Sequence, residues 1–367
     1  MTSLLDEFTS TGKKFWHHPE ALTALQEGKP KPVVSHIMPT DICQHKCSFC
    51  SVQTREGDTL ELSQIRGYVD QLLPLGLKAI IISGGGNPIL YKKFDELIDF
   101  LHSNNLKIGL ITNGMPLRDD NGRKTWFNVA AQTLDKLAWV RISMSGFDHA
   151  ENQVFVPEID REKTTLGFSY VYHDTYVVPE EPHHGKVSTV ADLIQLGLIA
   201  TNVIRCHDRF QELAVKISEI VKLHKPKYVR LLPNCLEESL ISSRCAELQE
   251  MANLIDPKVV FVQYKPPEAP PACYLGYLHP VLNTDGFVYP CDSCVLNKAA
   301  GHKFAEPWRM CRWDEIGEFY NKPRHSLVDS KKLCPGCVFT KSNQLLGRIV
   351  EGVPLLSPEP VEHPDFI

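Results

Sequence analysis

The sequence lacks the features that mark secreted, membrane-spanning and disordered proteins. Its longest apolar runs, near Ala79–Ile82 and Leu193–Ala200, are far shorter than the roughly 18 residues that a transmembrane helix needs. The amino terminus, with Asp6 and Glu7, has neither the apolar core of a signal peptide nor the pattern of a transit peptide. We therefore predict a cytoplasmic protein.

An excess of positive charge is also missing. Lys and Arg number 39 and Asp and Glu number 44, so the net charge is −5 and no broad basic field draws the protein to nucleic acid or anionic lipid. Apolar residues make up 43 % and charged residues 23 % of the chain, as in ordinary folded proteins. The length of 367 residues predicts one large domain and a smaller one.

Short apolar segments of strand length alternate with helical periodicity between about residues 33 and 232. Leu62, Ile65 and Val69, for example, share one helical face. Such alternation is typical of parallel βαβ units, and the α/β fold predicted from it is a partial (β/α)6 TIM-like barrel. The six predicted strands are Val33–Met38, Ala79–Ser83, Lys107–Thr112, Trp139–Met144, Leu166–Tyr172 and Tyr228–Leu232.

Two breaks set off the predicted barrel. The segment His173–Lys186, rich in Pro, His and Glu, is expected to be a lid-like insertion or a plain surface loop. The Pro-dense segment Lys265–Pro271, after the strand-like Val259–Tyr264, is typical of a linker. The Pro-rich chain from Val353 onward is expected to be extended on the surface or disordered. The predicted regions are an N-terminal extension (1–32), the barrel (33–265), a small cysteine-rich domain (266–340) and a C-terminal tail (341–367).

Twelve cysteines in a chain expected in a reducing compartment favour metal binding or catalysis over disulfides. Cys43, Cys47 and Cys50 lie in one short segment after the first predicted strand. Three thiolates can hold three irons of a [4Fe–4S] cluster and leave the fourth iron open, as in metal sites that carry out chemistry. A zinc site and a chance cluster of thiols are the alternatives. His45 lies inside the loop and is poorly placed to complete a zinc tetrahedron.

The spacing of Cys43, Cys47 and Cys50, with Phe49 before the last cysteine, resembles the signature of the radical S-adenosylmethionine (SAM) superfamily. The resemblance implies that these cysteines hold the SAM-binding [4Fe–4S] cluster.

A second match follows the next predicted strand, where glycines let a backbone approach a ligand closely. It resembles the Gly-Gly-Glu-Pro motif of the superfamily, which holds the amino group of SAM, with Asn in place of Glu. The resemblance implies cofactor contacts at Gly84, Gly85, Gly86, Asn87 and Pro88.

Further cofactor contacts are implied at the ends of later barrel strands, where active sites of this architecture lie. An alternative interpretation is that the polar residues among them are turn and capping residues. The candidates for the SAM carboxylate, ribose and adenine are Asn113, Ser143, Ser145 and Leu232.

A second cysteine set lies beyond the linker. Gly286 is expected to form a tight hairpin turn between Cys273 and Cys291, and the Cys-x2-Cys pair Cys334 and Cys337 follows. Four such thiolates can hold a closed [4Fe–4S] cluster or a zinc ion, and ligand type alone does not separate the two. The pattern resembles the Twitch form of the SPASM/Twitch auxiliary domain, which implies one auxiliary [4Fe–4S] cluster on these four cysteines.

The other cysteines fit these sets poorly. Cys294 and Cys311 are spaced badly for a second auxiliary cluster. Such a cluster would raise the iron content of the chain from about eight to about twelve. Cys206, Cys235 and Cys245 lie in the barrel portion without metal-ligand spacing and are expected to be core residues.

The resemblance implies an oxidoreductase or an isomerase or lyase that cleaves SAM to a 5'-deoxyadenosyl radical, which abstracts hydrogen from a substrate. Single-cluster Twitch members include dehydrogenases of sugar-like alcohols, and the segment before Cys43 is short for a leader-peptide recognition domain. We therefore expect a small polar substrate such as a sugar, aminocyclitol or nucleoside derivative, and an electron donor such as flavodoxin or ferredoxin.

Alternatives to this function are modification of a peptide, modification of a nucleobase in RNA or DNA, and a non-catalytic iron–sulfur or zinc protein. The sequence identifies no catalytic residue. Candidates on the substrate side, which can equally be packing or ion-pair residues, are Arg141, Tyr172, His173, Arg205 and Arg230.

Overall fold

The computed structural model describes most of the barrel and of the cysteine-rich region. Outside the described residues lie Cys206, the side chain of Arg205, most of the predicted insertion and all but one residue of the predicted linker. The described residues are 4–9, 12–115, 117–118, 124–125, 129, 131–149, 152–173, 175–177, 203–205, 210–237, 241–264, 268, 272–322, 330–334 and 336–367.

Strands and helices alternate along the described chain. The strands are β1 (Val34–Ile37), β2 (Ala79–Ile82), β3 (Lys107–Thr112), β4 (Leu117–Arg118), β5 (Lys124–Thr125), β6 (Trp139–Ser143), β7 (Thr165–Tyr172), β8 (Thr175–Val177), β9 (Val203–Arg205), β10 (Tyr228–Pro233), β11 (Val260–Val262), β12 (Val281–Leu282), β13 (Phe287–Tyr289) and β14 (Cys311–Arg312). The helices are α1 (Leu4–Phe8), α2 (Pro19–Gln26), α3 (Leu62–Leu72), α4 (Phe94–Ser103), α5 (Ala131–Leu134), α6 (Phe210–His224), α7 (Ile241–Ile255), α8 (Leu275–Leu278), α9 (Ile316–Asn321), α10 (Ser330–Leu333) and α11 (Thr340–Val350).

The helices follow the apolar spacing of the sequence. In α3, Leu62, Ile65 and Val69 are buried on one face, as their spacing predicts. At the start of this helix the side-chain carbonyl of Gln64 accepts the backbone N–H of Glu61, which satisfies a donor that the first turn leaves open.

The main sheet has ten described strands in the order β11-β10-β7-β6-β3-β2-β1-β12-β13-β14. From β11 to β12 every neighbouring pair is parallel, and β13 and β14 then add antiparallel pairs. All six predicted strands are confirmed, and β11, which was only noted as strand-like, adds a seventh parallel strand before the cysteine-rich region. The carboxyl ends of these parallel strands share one edge of the sheet.

The sheet curls into a partial barrel. An interior cavity of about 110 Å³ is lined by residues from strands on opposite sides of the arc, including His36 of β1, Ile111 of β3, Arg141 of β6 and Arg230 of β10. Side chains from distant strands meet in one cavity only if the sheet is curved. The predicted TIM-like barrel is therefore confirmed.

The predicted C-terminal tail contains α11 and then runs without regular secondary structure from Val353. Its last residues, Phe366 and Ile367, are buried. The Phe366 ring lies 5.2 Å from the ring of Trp139 at the start of β6, and its carbonyl accepts the Lys14 ammonium at 3.4 Å. The end of the chain therefore closes the base of the barrel. Within the described residues, no helix is long and apolar enough to cross a membrane.

Candidate active site

The loop after β1 brings Cys43, Cys47 and Cys50 together as free thiols. Burial, followed by the neighbouring Cys50 and Cys43, raises the pKa of the Cys47 thiol well above its usual value. Thiols bind metals as thiolates, and a bound cation removes the protons that burial and crowding retain. The donor set therefore fits the three protein ligands of a [4Fe–4S] cluster.

Each sulfur of this loop is in contact with a polar nitrogen from another part of the chain. Arg55 donates to the sulfur of Cys50 at 2.9 Å, and Asn113 donates to the sulfur of Cys43 at 3.6 Å. His149 places a ring nitrogen 3.3 Å from the sulfur of Cys47. Hydrogen bonds to sulfur and nearby positive charge stabilise thiolates and tune the potential of a cluster.

His45 lies inside the loop, as its sequence position requires. Its ring stacks on that of His149 with the centroids 3.7 Å apart. The possible ligand atoms of His45, Cys47 and His149 lie within 4.8 Å of one another. This group also fits a zinc ion, so metal analysis has to separate the zinc and iron alternatives.

The glycine-rich turn after β2 packs directly against the segment that leads into the cysteine loop. The backbone N–H of Gly86 donates to the carbonyl of Thr40 at 3.2 Å, and that of Asn87 donates to Ile42 at 2.8 Å. A Cβ on Gly86 would lie 2.1 Å from the carbonyl oxygen of Ile42. The glycine is therefore needed for this packing, whatever else the turn binds.

The side chain of Asn87 is 1 % exposed and fully hydrogen-bonded. Its amide donates to Gln44 at 3.0 Å and to Asn113 at 2.8 Å, and its carbonyl accepts the hydroxyl of Thr112 at 2.7 Å. With both hydrogens and the carbonyl engaged, this side chain ties the glycine turn to the end of β3 and to the cysteine loop. Any contact of Asn87 with a ligand is thus left to its backbone.

A cavity of about 430 Å³, the active cavity, opens above these elements, within the range of roughly 300–1,000 Å³ typical of small-molecule sites. Asn87 and Pro88 are not among its described lining residues. The predicted site residues that line it are Cys43, Cys47, Phe49, Cys50, Gly84, Gly85, Gly86, Asn113, Ser143, Ser145 and Leu232.

The predicted substrate-side residues lie at different depths. Arg230 lines the active cavity and the smaller interior cavity beneath it, whereas Arg141 lines the smaller one alone. Tyr172 and His173 are buried and do not line the active cavity. His173 instead packs 4.9 Å from the ring of Phe49 and lies 3.4 Å from a carboxylate oxygen of Asp148.

The second cysteine set is also assembled. The predicted hairpin is confirmed: β12 and β13 pair antiparallel, and Gly286 turns with a φ of +77°. Burial, followed by Cys291, Cys334 and Cys337, raises the pKa of the Cys273 thiol well above its usual value. These four thiols are therefore close to one another, and they fit a closed four-thiolate centre.

Cys294 is a fifth thiol beside this set. It is 5 % exposed, it donates to the carbonyl of Cys291 at 3.3 Å, and after burial the neighbouring Cys291 contributes to its raised pKa. Cys311 instead lies on β14. Sequence spacing did not group Cys294 with the four predicted ligands. The fold of the segment after β13 nevertheless places it next to Cys291.

Residues adjacent to the second cysteine set line the active cavity. Asp292 and Ser293 directly follow Cys291, and Val338 and Phe339 directly follow Cys337. The first cysteine set thus lines the cavity itself, whereas the second set reaches it through the residues that follow Cys291 and Cys337. Sequence reasoning missed these four lining residues, and their position next to expected ligands is the one signal that pointed to them.

Comparison with known families decides the nature of the first site. The model of the radical SAM superfamily matches residues 37–153, which include the three-cysteine loop and the glycine-rich turn. Residues 37–153 are therefore a radical SAM domain. A radical SAM domain takes a [4Fe–4S] cluster and SAM as its cofactors, and the three thiols and the adjoining cavity suit them.

Among curated proteins, the chain is similar to an S-adenosylmethionine-dependent nucleotide dehydratase of Selenomonas ruminantium, with 29 % identity over 75 residues. The match covers 20 % of this chain and about a quarter, 27 %, of that relative.

Solved structures show more distant likenesses. SuiB of Streptococcus suis bound to its precursor peptide SuiA aligns with a TM-score of 0.49 and 12 % identity, over 99 % of this chain and 83 % of SuiB. In the SAM-bound SuiB structure the alignment covers 64 % of that chain. Native anSMEcpe with bound AdoMet and Cp18Cys peptide aligns with a TM-score of 0.48 and 14 % identity, over 88 % and 99 % of the two chains.

Proposed function

We propose that this radical SAM protein abstracts a hydrogen atom from a small polar substrate held between a SAM-binding cluster and an auxiliary [4Fe–4S] cluster. The observation that carries the proposal is the active cavity of about 430 Å³, which is lined by the first cysteine set and by residues adjacent to the second set. Its size suits SAM together with part of a small substrate.

Cys43, Cys47 and Cys50 would hold the SAM-binding cluster, and Cys273, Cys291, Cys334 and Cys337 the auxiliary one. When bound, the first cluster would supply the electron for cleavage of SAM to methionine and a 5'-deoxyadenosyl radical, and this radical would remove a hydrogen atom from the substrate.

The residues of the chain bind and orient SAM, and they exclude water from the site. The backbone of Gly84–Gly86 and the side chains of Asn113, Ser143 and Ser145 offer hydrogen-bonding groups to SAM along the rim of the parallel strands. Leu232 and Phe49 offer apolar surface that can pack against the adenine and keep water out of the site. Excluding water protects a reactive intermediate from side reactions.

The side of the cavity toward the second cysteine set suits oxidation of the substrate. Asp292 is adjacent to Cys291 and is the one carboxylate among the described lining residues of the active cavity. A carboxylate there can accept a proton as an alcohol is oxidised to a carbonyl. An auxiliary cluster on the adjoining thiols would accept the electron released from the substrate.

The substrate is proposed to be a sugar, aminocyclitol or nucleoside derivative. The polar side chains within the cavity match the hydroxyl groups of such molecules. The curated relative from Selenomonas ruminantium is named for action on a nucleotide, which agrees with the nucleoside-like members of this class. A low-potential electron donor of the flavodoxin or ferredoxin type would reduce the first cluster.

The test is metal analysis combined with SAM cleavage on the full chain purified without oxygen. Wild type is expected to hold about eight irons, as two [4Fe–4S] clusters require, and to form 5'-deoxyadenosine from SAM with dithionite. The triple variant Cys43→Ala/Cys47→Ala/Cys50→Ala should keep about four irons and form none. Cys245→Ala in α7, outside both sets, is the control and should match wild type.

Other outcomes separate the alternatives. About twelve irons in wild type would indicate two auxiliary clusters. Zinc without iron, and no deoxyadenosine, would overturn the radical enzyme and leave a structural metalloprotein. Deoxyadenosine formation stimulated by peptides but by no small polar molecule would overturn the proposed substrate class.

A further inference from the structure

Two arginines face each other inside the barrel, below the active cavity. Arg141 on β6 and Arg230 on β10 both line the interior cavity of about 110 Å³, and Arg230 also lines the active cavity above it. Through the strand register, Arg141 pairs with Gly167 of β7, and Arg230 with Ser169, two residues further along the same strand. The two guanidinium groups therefore extend into the barrel from either side of β7.

The positive charges of the two arginines repel each other. Burial, followed by the charge of Arg141, lowers the pKa of Arg230 well below its usual value. Two like charges in a site of low polarity repel more strongly than in water. Their arrangement is stable when a negative charge lies between them or close by.

The chain compensates these charges incompletely. Arg230 donates to the neutral carbonyl of Gln263 at 2.7 Å, and Arg141 lies 5.7 Å above the ring of Trp139. The buried Nε atom of each arginine has no hydrogen-bond partner. In the part of the chain that the structure describes, neither guanidinium forms an ion pair with a carboxylate oxygen within 4.0 Å.

Other charged groups around the interior cavity leave it cationic. Lys14 lines the cavity and is 2 % exposed. Glu7 and Asp292 line it as well: against the larger effect of burial, Glu7 raises the pKa of Lys14 and Asp292 raises that of Arg230. Three basic side chains thus stand against two acidic ones.

The interior cavity is too small for a whole substrate, since small-molecule sites occupy roughly 300–1,000 Å³. It has room for one anionic group of a molecule whose remainder lies in the active cavity. Arg230 and Asp292 are among the residues that line both cavities, at the passage between them.

We propose that Arg141 and Arg230 bind an oxyanion of the substrate, a phosphate or a carboxylate, at the floor of the active cavity. Guanidinium groups suit this task because their fixed donors match the oxygens of phosphate and carboxylate. The inference rests on the proposed function, since it narrows the small polar substrate to an anionic one. The anion would set the depth at which the substrate enters, and so which carbon faces SAM.

The test is isothermal titration of inorganic phosphate, pyrophosphate and acetate into the full, iron-loaded chain with SAM present in both solutions, so that the SAM site is filled. Wild type is expected to bind at least one of them with a Kd of about 1 mM or below, as paired charge-assisted hydrogen bonds allow. Preference for phosphate or pyrophosphate assigns a phosphorylated substrate, and preference for acetate assigns a carboxylate.

The variants Arg141→Gln and Arg230→Gln should each weaken this binding by about tenfold or more. Arg66→Gln is the matched control, because Arg66 is exposed on α3 and lies over the ring of Phe100. Circular dichroism and iron content verify that each variant is folded. Where a glutamine variant does not fold, the lysine variant decides: it keeps the charge but loses the paired donors, and it should bind phosphate more weakly than wild type.

Two results would overturn the anion site. One is a wild type that binds none of the three anions, and the other is unchanged affinity in the folded variants of both arginines. Deoxyadenosine formation by wild type is measured in parallel. A protein that forms it without binding an anion overturns this inference alone, whereas a protein that binds phosphate but never cleaves SAM overturns the proposed function.

Discussion

The guanidinium of Arg55 donates a hydrogen bond of 2.9 Å to the sulfur of Cys50. A second nitrogen of the same group donates to the carbonyl of His45 at 3.0 Å, which holds the charge in place beside the loop. Positive charge and a hydrogen bond at a ligand sulfur favour the reduced, more negative state of a cluster. Arg55 is therefore placed to raise the potential of a cluster on this loop.

Arg55→Met is expected to lower the reduction potential of the three-cysteine cluster by about 50 mV, since a loss of about 1 kcal/mol of preferential stabilisation corresponds to such a shift for one electron. Potentiometric titration followed by electron paramagnetic resonance measures it. Arg66→Met, an exposed arginine on α3, is the control. An unchanged potential at full iron content would show that the hydrogen bond serves the loop structure alone.

Gly86→Ala should prevent the cysteine loop from reaching its position, because the added Cβ would lie 2.1 Å from the carbonyl of Ile42. The expected result is a stability loss of about 2 kcal/mol or more, together with loss of about four irons. Thermal unfolding and iron analysis measure the two effects. Gly347→Ala on α11 is the control: its Cβ would make an ordinary contact of 3.5 Å with Tyr274, and stability should stay equal or rise slightly.

Asn87→Ala should leave the buried hydroxyl of Thr112 without its acceptor and remove one of the two donors to the half-buried amide oxygen of Asn113. Each unpaired buried group costs roughly 1–3 kcal/mol, so we expect the free energy of unfolding to fall by about 2 kcal/mol or more. Denaturant titration measures it. Asn253→Ala on α7 is the control, because it changes an exposed amide and should have little effect. Asn105→Ala is unsuitable, because Asn105 has a φ of 58°. A neutral Asn87→Ala would contradict the network.

Local sequence patterns predicted the fold closely where the structure of a segment depends on that segment alone. Strands such as Lys107–Thr112 are apolar runs between helices, and their bounds agree with the structure. The turn at Gly286 was predictable because its tight geometry needs a residue that tolerates positive φ.

Contacts between distant segments were out of reach of the same reasoning. No spacing rule joins Arg55 to Cys50, His149 to Cys47, or Cys294 to the second cysteine set. Asn87 takes the place of the glutamate of the family motif, and its three side-chain hydrogen bonds emerge only when β2, β3 and the loop are placed together. Such partners depend on tertiary packing rather than on local periodicity.

Stability should depend on pH through His363. This side chain lies 3.0 Å from the hydroxyl of Thr165, and burial, followed by the charge of Lys14, lowers its pKa to about 4. The pKa of His363 in the folded state is below the unfolded value of about 6.5, so the native state keeps the imidazole neutral. The contribution of His363 to the free energy of unfolding is therefore complete above pH 6.5 and is lost as the pH falls toward 4. We expect a loss of about 2 kcal/mol over this window. His363→Asn, which tolerates the local φ of 51°, should flatten this part of the curve, and an unchanged slope would contradict the assignment.

The fifth thiol, Cys294, allows the ligands of the second centre to be tested one by one. If Cys273, Cys291, Cys334 and Cys337 hold an auxiliary cluster, Cys291→Ala should remove about four irons while Cys294→Ala keeps the wild-type content. Both cysteines follow β13 and differ by three positions, so they form a matched pair. Iron analysis with Mössbauer spectroscopy measures the result. Loss of iron in Cys294→Ala and retention in Cys291→Ala would exchange their roles, which the 3.3 Å contact of the Cys294 sulfur with the Cys291 carbonyl makes geometrically accessible.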